Sequence, residues 1–430
     1  MLRRLTFPAI FLTAFGLFAG PPFRAGTMNE PPRGGDARDY EAIAFNLWQG
    51  RGFGYYWSDP AWQQPYRAAG FAAAIGDRQS GYYPTTYRPP AFPSLWALVY
   101  ATVGRNFAAV RIINCALMAG AVTLGAAVAA HFAGLAAAVA AAVLLLQSPH
   151  LSQFSLELLT EPLATFLVSL LVWLWVSRSD REVSARAAAV SGAVLGLLVL
   201  ARSIFVLWLP IALLMPGRPA AGGTGLWRAR AICVLACLLI VAPWWARNIL
   251  ITEALLPMGS QGPINLPAGF SQRALDNQGR WRSNTGDGAP ELIASGVDPF
   301  SLEYEVRLAR HRSALTLNWM REHPRDVVRL LGMHVWQELR PRRRPTPWDL
   351  LFPAAVVALI YFRRRPGILA VTLILGATLA SIALTWGATG RFMIPVQPLM
   401  LALVSAMLIS MAGHLAQGLR RLLPAGTPHE

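Results

Sequence analysis

Between Phe107 and Ser148 the chain reads FAAVRIINCALMAGAVTLGAAVAAHFAGLAAAVAAAVLLLQS. Arg111 is its one charged residue. A helix of that composition has no polar face to turn towards water, and ~20 such residues suffice to cross a bilayer. The stretch is read as two apolar runs, about 107–131 and 133–148. Runs of the same kind lie at about 5–20, 159–177, 187–203, 204–216, 229–247, 348–362, 367–386 and 392–413. The expected fold class is therefore all-α, a polytopic integral membrane protein with about ten transmembrane helices. The run at 204–216 is short for a span, which points to tilt or a shifted boundary.

The composition of the 430-residue chain agrees. Only 14% of residues are charged and 54% are hydrophobic, and the mean hydropathy is +0.41. Soluble domains carry about 25% charged residues, so this chain cannot coat a soluble globule of its size. A soluble Rossmann or barrel enzyme is excluded. All 38 basic residues are Arg. Without Lys there is no P-loop and no Schiff-base chemistry. The net charge of +16 is assigned to Arg near lipid phosphates, and no nucleic-acid partner is expected. Cys115, Cys233 and Cys237 lie in apolar stretches, and no Cys/His spacing or HExxH pair suggests a metal. No cofactor is expected.

Two long polar segments, 21–90 and 248–347, interrupt the apolar runs of what reads as a single membrane domain over 1–430. Arg in short loops marks the cytoplasmic side. Starting with the N-terminus inside places Arg178, Arg181, Arg186, Arg218, Arg228, Arg363 to Arg365, Arg420 and Arg421 inside. The Arg-free loop 149–158 and both long segments then face outside, so the protein is expected in the inner (plasma) membrane with extracytoplasmic loops. Arg340 and Arg342 to Arg344 fall outside and are read as an anchor on anionic lipid. Tyr40, Ile43, Ala44 and Leu47 have helical apolar spacing and suggest an amphipathic helix over 40–48. A second short helix is expected over Ala91–Val103, after Pro89 and Pro90.

Charged groups at the ends of apolar runs are costly and therefore informative. Asp36 and Asp39 follow the first run, Glu161 opens another, Arg202 lies between two, Arg247 closes one and Arg391 opens the last. The topology puts all six at the outer face, with Arg88. Arg can hold a lipid phosphate through charge-assisted bonds, and a carboxylate can take a proton from an acceptor hydroxyl. Each has a plainer reading too. Asp39 has the position of a helix N-cap, Glu161 that of a first-turn carboxylate, and the Arg could snorkel to headgroups. His323 is read as a loop residue.

The ordered motifs resemble the GT-C membrane glycosyltransferases, in particular the bacterial branch similar to family 39 protein mannosyltransferases and aminoarabinose transferases. The resemblance rests on Asp36 to Tyr40, the stretch Ala44 to Phe53, Tyr87-Arg88-Pro89-Pro90 to Pro93, Thr160-Glu161-Pro162, Pro243-Trp244 to Arg247-Asn248, and Arg391-Phe392 to Pro398. It implies transfer of a sugar from a polyprenyl-phosphate carrier to an extracytoplasmic lipid, glycan or protein, with inversion. By the same resemblance Asp36 is the catalytic acid residue and Arg88 the basic residue before the Pro pair. Glu161 is placed in the catalytic set, with Asp39, Tyr40, Arg88, Arg202, Arg247 and Arg391 on the substrates. The family's frequent Glu after the first Asp is replaced here by Ala37, which weakens a mannosyl-to-protein role. A flippase for a lipid-linked glycan and a non-catalytic envelope assembly protein are the rivals.

Overall fold

The computed structural model describes residues 2–75, 79–218, 225–282, 288–341 and 346–422. Arg342 to Arg344, three of the four residues of the expected surface anchor, lie outside the described residues. Each apolar run is helical. The runs at 107–131 and 133–148 join as one element, Phe107–Leu146, bent where Ala133 (φ −142°, ψ 20°) is followed by Gly134 at φ +78°. Only glycine takes that left-handed conformation without steric cost, so the joint between the two runs is written at Gly134. The short run at 204–216 is a 3₁₀ helix over Ser203–Leu214. Its ~2.0 Å rise per residue stretches a short segment further than an α-helix would. Among the described residues, four helices are long and apolar enough to cross a membrane: Leu5–Arg24, Phe107–Leu146, Gly225–Thr252 and Arg391–Leu419. Six further apolar helices among the described residues are shorter, so length alone establishes fewer spans there than the ten expected.

Polar side chains start several helices by accepting from orphan backbone N–H groups. Asn106 accepts from Ala109 N, Ser148 from Leu151 N, Ser184 from Ala187 N and Ser301 from Tyr304 N. One main core joins the apolar helices, with Met118, Val122, Leu171, Leu195, Ile374 and Ala402 fully or nearly buried. The last helix, Gln397–Leu422, lies along Phe107–Leu146, and Ala185–Ala201 lies along Gly225–Thr252. The second pair approaches through Gly192 and Gly196. A Cβ on Gly192 would stand 2.0 Å from the carbonyl oxygen of Cys233. This small-residue spacing is how helices meet closely where lipid supplies no hydrophobic drive between them.

The polar segments are structured. The first helix of 21–90 is Gly35–Trp48, five residues longer at its start than the expected 40–48. Its N-cap is Gly34, so Asp36 sits in the first turn and Asp39 one turn in. The N-cap reading of Asp39 is therefore corrected; the two glycines, both at positive φ, set the helix start. The helix Ala91–Val103 forms as expected. A two-stranded antiparallel ribbon, Gly54–Tyr55 with Tyr83–Pro84, is a small addition to the helical fold. Buried Phe53, Tyr55, Trp57, Trp62 and Tyr66 give this segment a core of its own. Buried Glu41 anchors it, accepting from Trp62 Nε1, Tyr66 OH, Tyr100 OH and Arg105 Nε. The second polar segment folds into helices including Gln261–Gly269, Leu302–Glu322 and Pro324–Leu339. The helix Gly225–Thr252 runs past Arg247 and includes the first residues of this segment.

Candidate active site

Five separate stretches of chain deliver ionised side chains to one place. Arg88 Nη2 lies 2.7 Å from Asp36 Oδ1 and 2.7 Å from Asp39 Oδ2. Arg391 Nη1 lies 3.2 Å from Asp36 Oδ2, and its Nε donates to Glu161 Oε1. Arg202 Nη1 donates to the same oxygen at 2.7 Å. Arg38 pairs with Asp39 at 3.1 Å. The result is an alternating chain of charge: Arg38, Asp39, Arg88, Asp36, Arg391, Glu161, Arg202. Each charge has opposite neighbours, which is what makes burial of so many ions tolerable.

Local structure explains the placement. Asp36 and Asp39 share one face of the Gly35–Trp48 helix because they are three residues apart. Glu161 is the first residue of Glu161–Val176, with Pro162 behind it, as the helix-start reading expects. Its carboxylate favours the helix N-terminus electrostatically. Arg202 stands in extended conformation between Ala185–Ala201 and Ser203–Leu214. Arg391 opens the 3₁₀ turn that leads into the last helix. The aromatics complete the frame. The Arg88 guanidinium lies 5.3 Å from the Tyr40 ring centre and 4.8 Å from that of Tyr87, and Arg202 lies 5.3 Å from that of Phe392. Burial pushes the Tyr40 hydroxyl up to about 12, so it is neutral at physiological pH.

The central pair of the charge chain is more exposed than the residues that flank it. Glu161 is fully buried, Arg88 is 6% exposed, and Asp36 and Arg391 are each 33% exposed. The accessible pair is therefore Asp36 with Arg391. Burial raises the Asp36 carboxyl, but Arg88 and Arg391 outweigh it and hold the pKa at about 2. Asp36 is ionised at any physiological pH. Thr389, Gly390, Met393, Ile394, Gln397 and Met400, on either side of Arg391 in sequence, line a cavity of about 570 Å³, walled also by Arg280, Glu338, Arg340, Trp348, Asp349 and Phe352.

Arg247 lies apart from the charge chain. Its donors go to the carbonyls of Thr85 at 3.2 Å and Phe53 at 3.1 Å, and to Asn248 Oδ1 at 3.0 Å. It also stacks against Phe53 and Trp244. It therefore braces the ribbon three residues before Arg88. His323 stands at the junction of Leu302–Glu322 and Pro324–Leu339, its ring against Trp319. Three residues that support the site had no sequence signal of their own. Arg38 extends the chain. Glu305 accepts from Thr85 Oγ1, Thr86 N, Thr86 Oγ1 and Ser260 Oγ, which ties the stretch before Arg88 to the second polar segment. Glu338 does the same for the stretch around Arg391, accepting from three backbone amides.

No family model matches this chain, and no curated protein matches it by sequence. Solved structures do match in fold. The chain is similar to ArnT from Cupriavidus metallidurans bound to undecaprenyl phosphate, with a TM-score of 0.53, 14% identity, and coverage of 96% of this chain and 64% of that one. It is also similar to the oligosaccharyltransferase AglB from Archaeoglobus fulgidus in complex with an inhibitory peptide and a dolichol-phosphate. There the TM-score is 0.52 at 13% identity, over 100% of this chain and 53% of that one. The chain thus spans between half and two-thirds of the length of these structures. The chain shares the helical fold of these two structures, as the resemblance of the ordered motifs leads one to expect.

Proposed function

We propose that the protein is a glycosyltransferase that moves a sugar from a polyprenyl-phosphate carrier to an extracytoplasmic acceptor, with inversion. The observation that carries this reading is the alternating charge chain, assembled from five segments and open to solvent at Asp36 and Arg391. Support comes from the two fold neighbours, one bound to undecaprenyl phosphate and the other to a dolichol-phosphate.

In the proposed step an acceptor O–H or N–H attacks the anomeric carbon from the face opposite the carrier. The new bond to carbon forms as the bond to the phosphate oxygen breaks. The bonding pair leaves with the polyprenyl phosphate, and the acceptor proton passes to Asp36. The departing group is already a phosphate, so the larger task is to stabilise its growing negative charge. Arg391 is the accessible guanidinium for it; Arg88 and Arg202 hold the carboxylates in register. Asp36 at about 2 is a weak base while both guanidiniums grip it. A carrier phosphate that draws Arg391 towards itself loosens that grip, so donor binding strengthens the base. Glu161 keeps the other side of Arg391. The cavity lined by Gly390 and Met393 has mixed walls, with Arg280 and Arg340 facing it beside Trp348 and Phe352 and the carboxylates of Glu338 and Asp349; its two Arg residues are the groups in it that would attract a lipid-linked anion. The active face is the outer side of the inner membrane, the side on which the Arg asymmetry of the short loops puts both polar segments.

The test is incubation of the purified protein in lipid nanodiscs with a panel of polyprenyl-phosphate sugars and membrane-extract acceptors. Release of free polyprenyl phosphate, with a glycosylated product of opposite anomeric configuration, is expected for at least one donor. Binding and transbilayer movement of an intact donor without release would replace this reading with transport.

A further inference from the structure

Arg391 can serve the site only if its guanidinium is held between Asp36 and Glu161, and the segment that carries it is irregular. Thr389 and Gly390 both have positive φ, at 55° and 94°. No helix or strand fixes the backbone from Ala388 to Gly390. Gly387 is tied to Gly279 and Trp281 by backbone hydrogen bonds, and the carbonyls of Ala388 and Gly390 accept from Arg391 N and Met393 N; the amides of Ala388 and Gly390 are held by one carboxylate. Glu338, at the end of the helix Pro324–Leu339 and 6% exposed, accepts from Ala388 N and, through its other oxygen, from Gly390 N at 2.9 Å and Phe392 N at 3.1 Å. Successive amides converging through left-handed residues form a concave anion-binding loop. Here the anion is internal. The amides on either side of Arg391 are held on one side while its own side chain meets two carboxylates on the other.

We infer that Glu338 is a positioning residue for the reaction proposed above: it acts through Arg391, by holding the loop that sets that guanidinium between Asp36 and Glu161. The inference rests on the glycosyltransferase reading for its consequence in turnover, and on geometry alone for the loop. Gln fits the same space, but its amide nitrogen cannot accept, so at least one of the three N–H groups loses its partner. Asp keeps the charge on a stem one methylene shorter.

The experiment compares Glu338→Gln, Glu338→Asp and wild type, full-length in nanodiscs, by amide hydrogen exchange and by a double-mutant cycle with Arg391→Gln. Exchange at Ala388, Gly390 and Phe392 is expected to quicken about tenfold or more in the Gln variant, and less in the Asp variant, while the helix from Gln397 keeps its protection. On turnover, Glu338→Gln is expected to cost about tenfold in the presence of Arg391 and less than about twofold in the Arg391→Gln background, because a residue acting through another is not additive with it. Unchanged protection of the three amides overturns the inference, and so does an equal loss in both backgrounds. If wild type transfers no sugar, the functional reading falls by itself. The cycle is then read on unfolding midpoints, where non-additivity supports the role of Glu338 and additivity overturns it.

Discussion

Asp36 shows how much of the site one residue type in one context can announce. A carboxylate at the end of an apolar run needs a partner, and the candidates were the Arg residues at the ends of other runs. Arg88, Arg202 and Arg391 do converge with Asp36, Asp39 and Glu161. Arg247 read the same way by position, yet its partners are Asn248 and the backbone carbonyls of Phe53 and Thr85, at the end of a ribbon that has no signature in sequence. Glu338 and Glu305 were invisible for the same reason, because most of what they grip is main chain or common hydroxyls. The pairing of Asp36 has a pH consequence. Its pKa is lowered from the ordinary 3.8 to about 2, so the ionised form is favoured in the folded state. The pairing therefore stabilises the fold above the unfolded value and is lost as pH falls through the folded one. The unfolding midpoint of wild type is expected to exceed that of Asp36→Asn by a constant margin at neutral pH. That margin should shrink from about pH 4 down to about pH 2. A margin that grew on acidification would mean that Asp36 is not held by its two guanidiniums.

Helices were the most legible level. Apolar runs are long, and the backbone in lipid has little alternative to helix. What composition did not reveal was how they end and meet. The Gly35–Trp48 helix starts five residues before its apolar spacing does, because its first turn is polar and faces the charge chain. The helix Gly225–Thr252 outlasts its apolar run because Asn248 and Thr252 find buried partners. Contact between Ala185–Ala201 and Gly225–Thr252 is controlled by the absence of side chains. Gly192→Ala places a methyl group 2.0 Å from the Cys233 carbonyl oxygen, so the two helices must separate. A loss of about 1–3 kcal/mol in unfolding free energy is expected, the usual scale of overpacking. Gly376→Ala is the control. Nothing lies within 4 Å of the added carbon, and alanine is the better helix former, so no loss is expected. Equal behaviour of the two variants would contradict the close-packed joint.

At the scale of the molecule, two polar segments distant in sequence are built into one body with the membrane helices. Glu41 pins the first to Ala91–Val103 and Arg105. Glu305 pins the second to Thr85 and Thr86, and Glu338 pins it to the loop of Arg391. Each of these carboxylates fixes a stretch that carries an Arg or Asp of the charge chain or lies beside one. The whole therefore reads as a rigid frame holding one half-buried pair, Asp36 with Arg391, whose neighbour Gly390 lines a cavity of mixed polar and apolar walls. The central claim is that Asp36 takes the acceptor proton at this point. It is tested most directly by the transfer rate of wild type, Asp36→Asn and Asp39→Asn, each reconstituted in nanodiscs and normalised to folded protein. The account predicts that Asp36→Asn lowers the rate by about 10²–10⁴-fold, the scale of a lost general base, and that Asp39→Asn, whose carboxylate meets Arg38 and Arg88, lowers it less. A wild-type rate in Asp36→Asn, or a larger loss in Asp39→Asn, would contradict it.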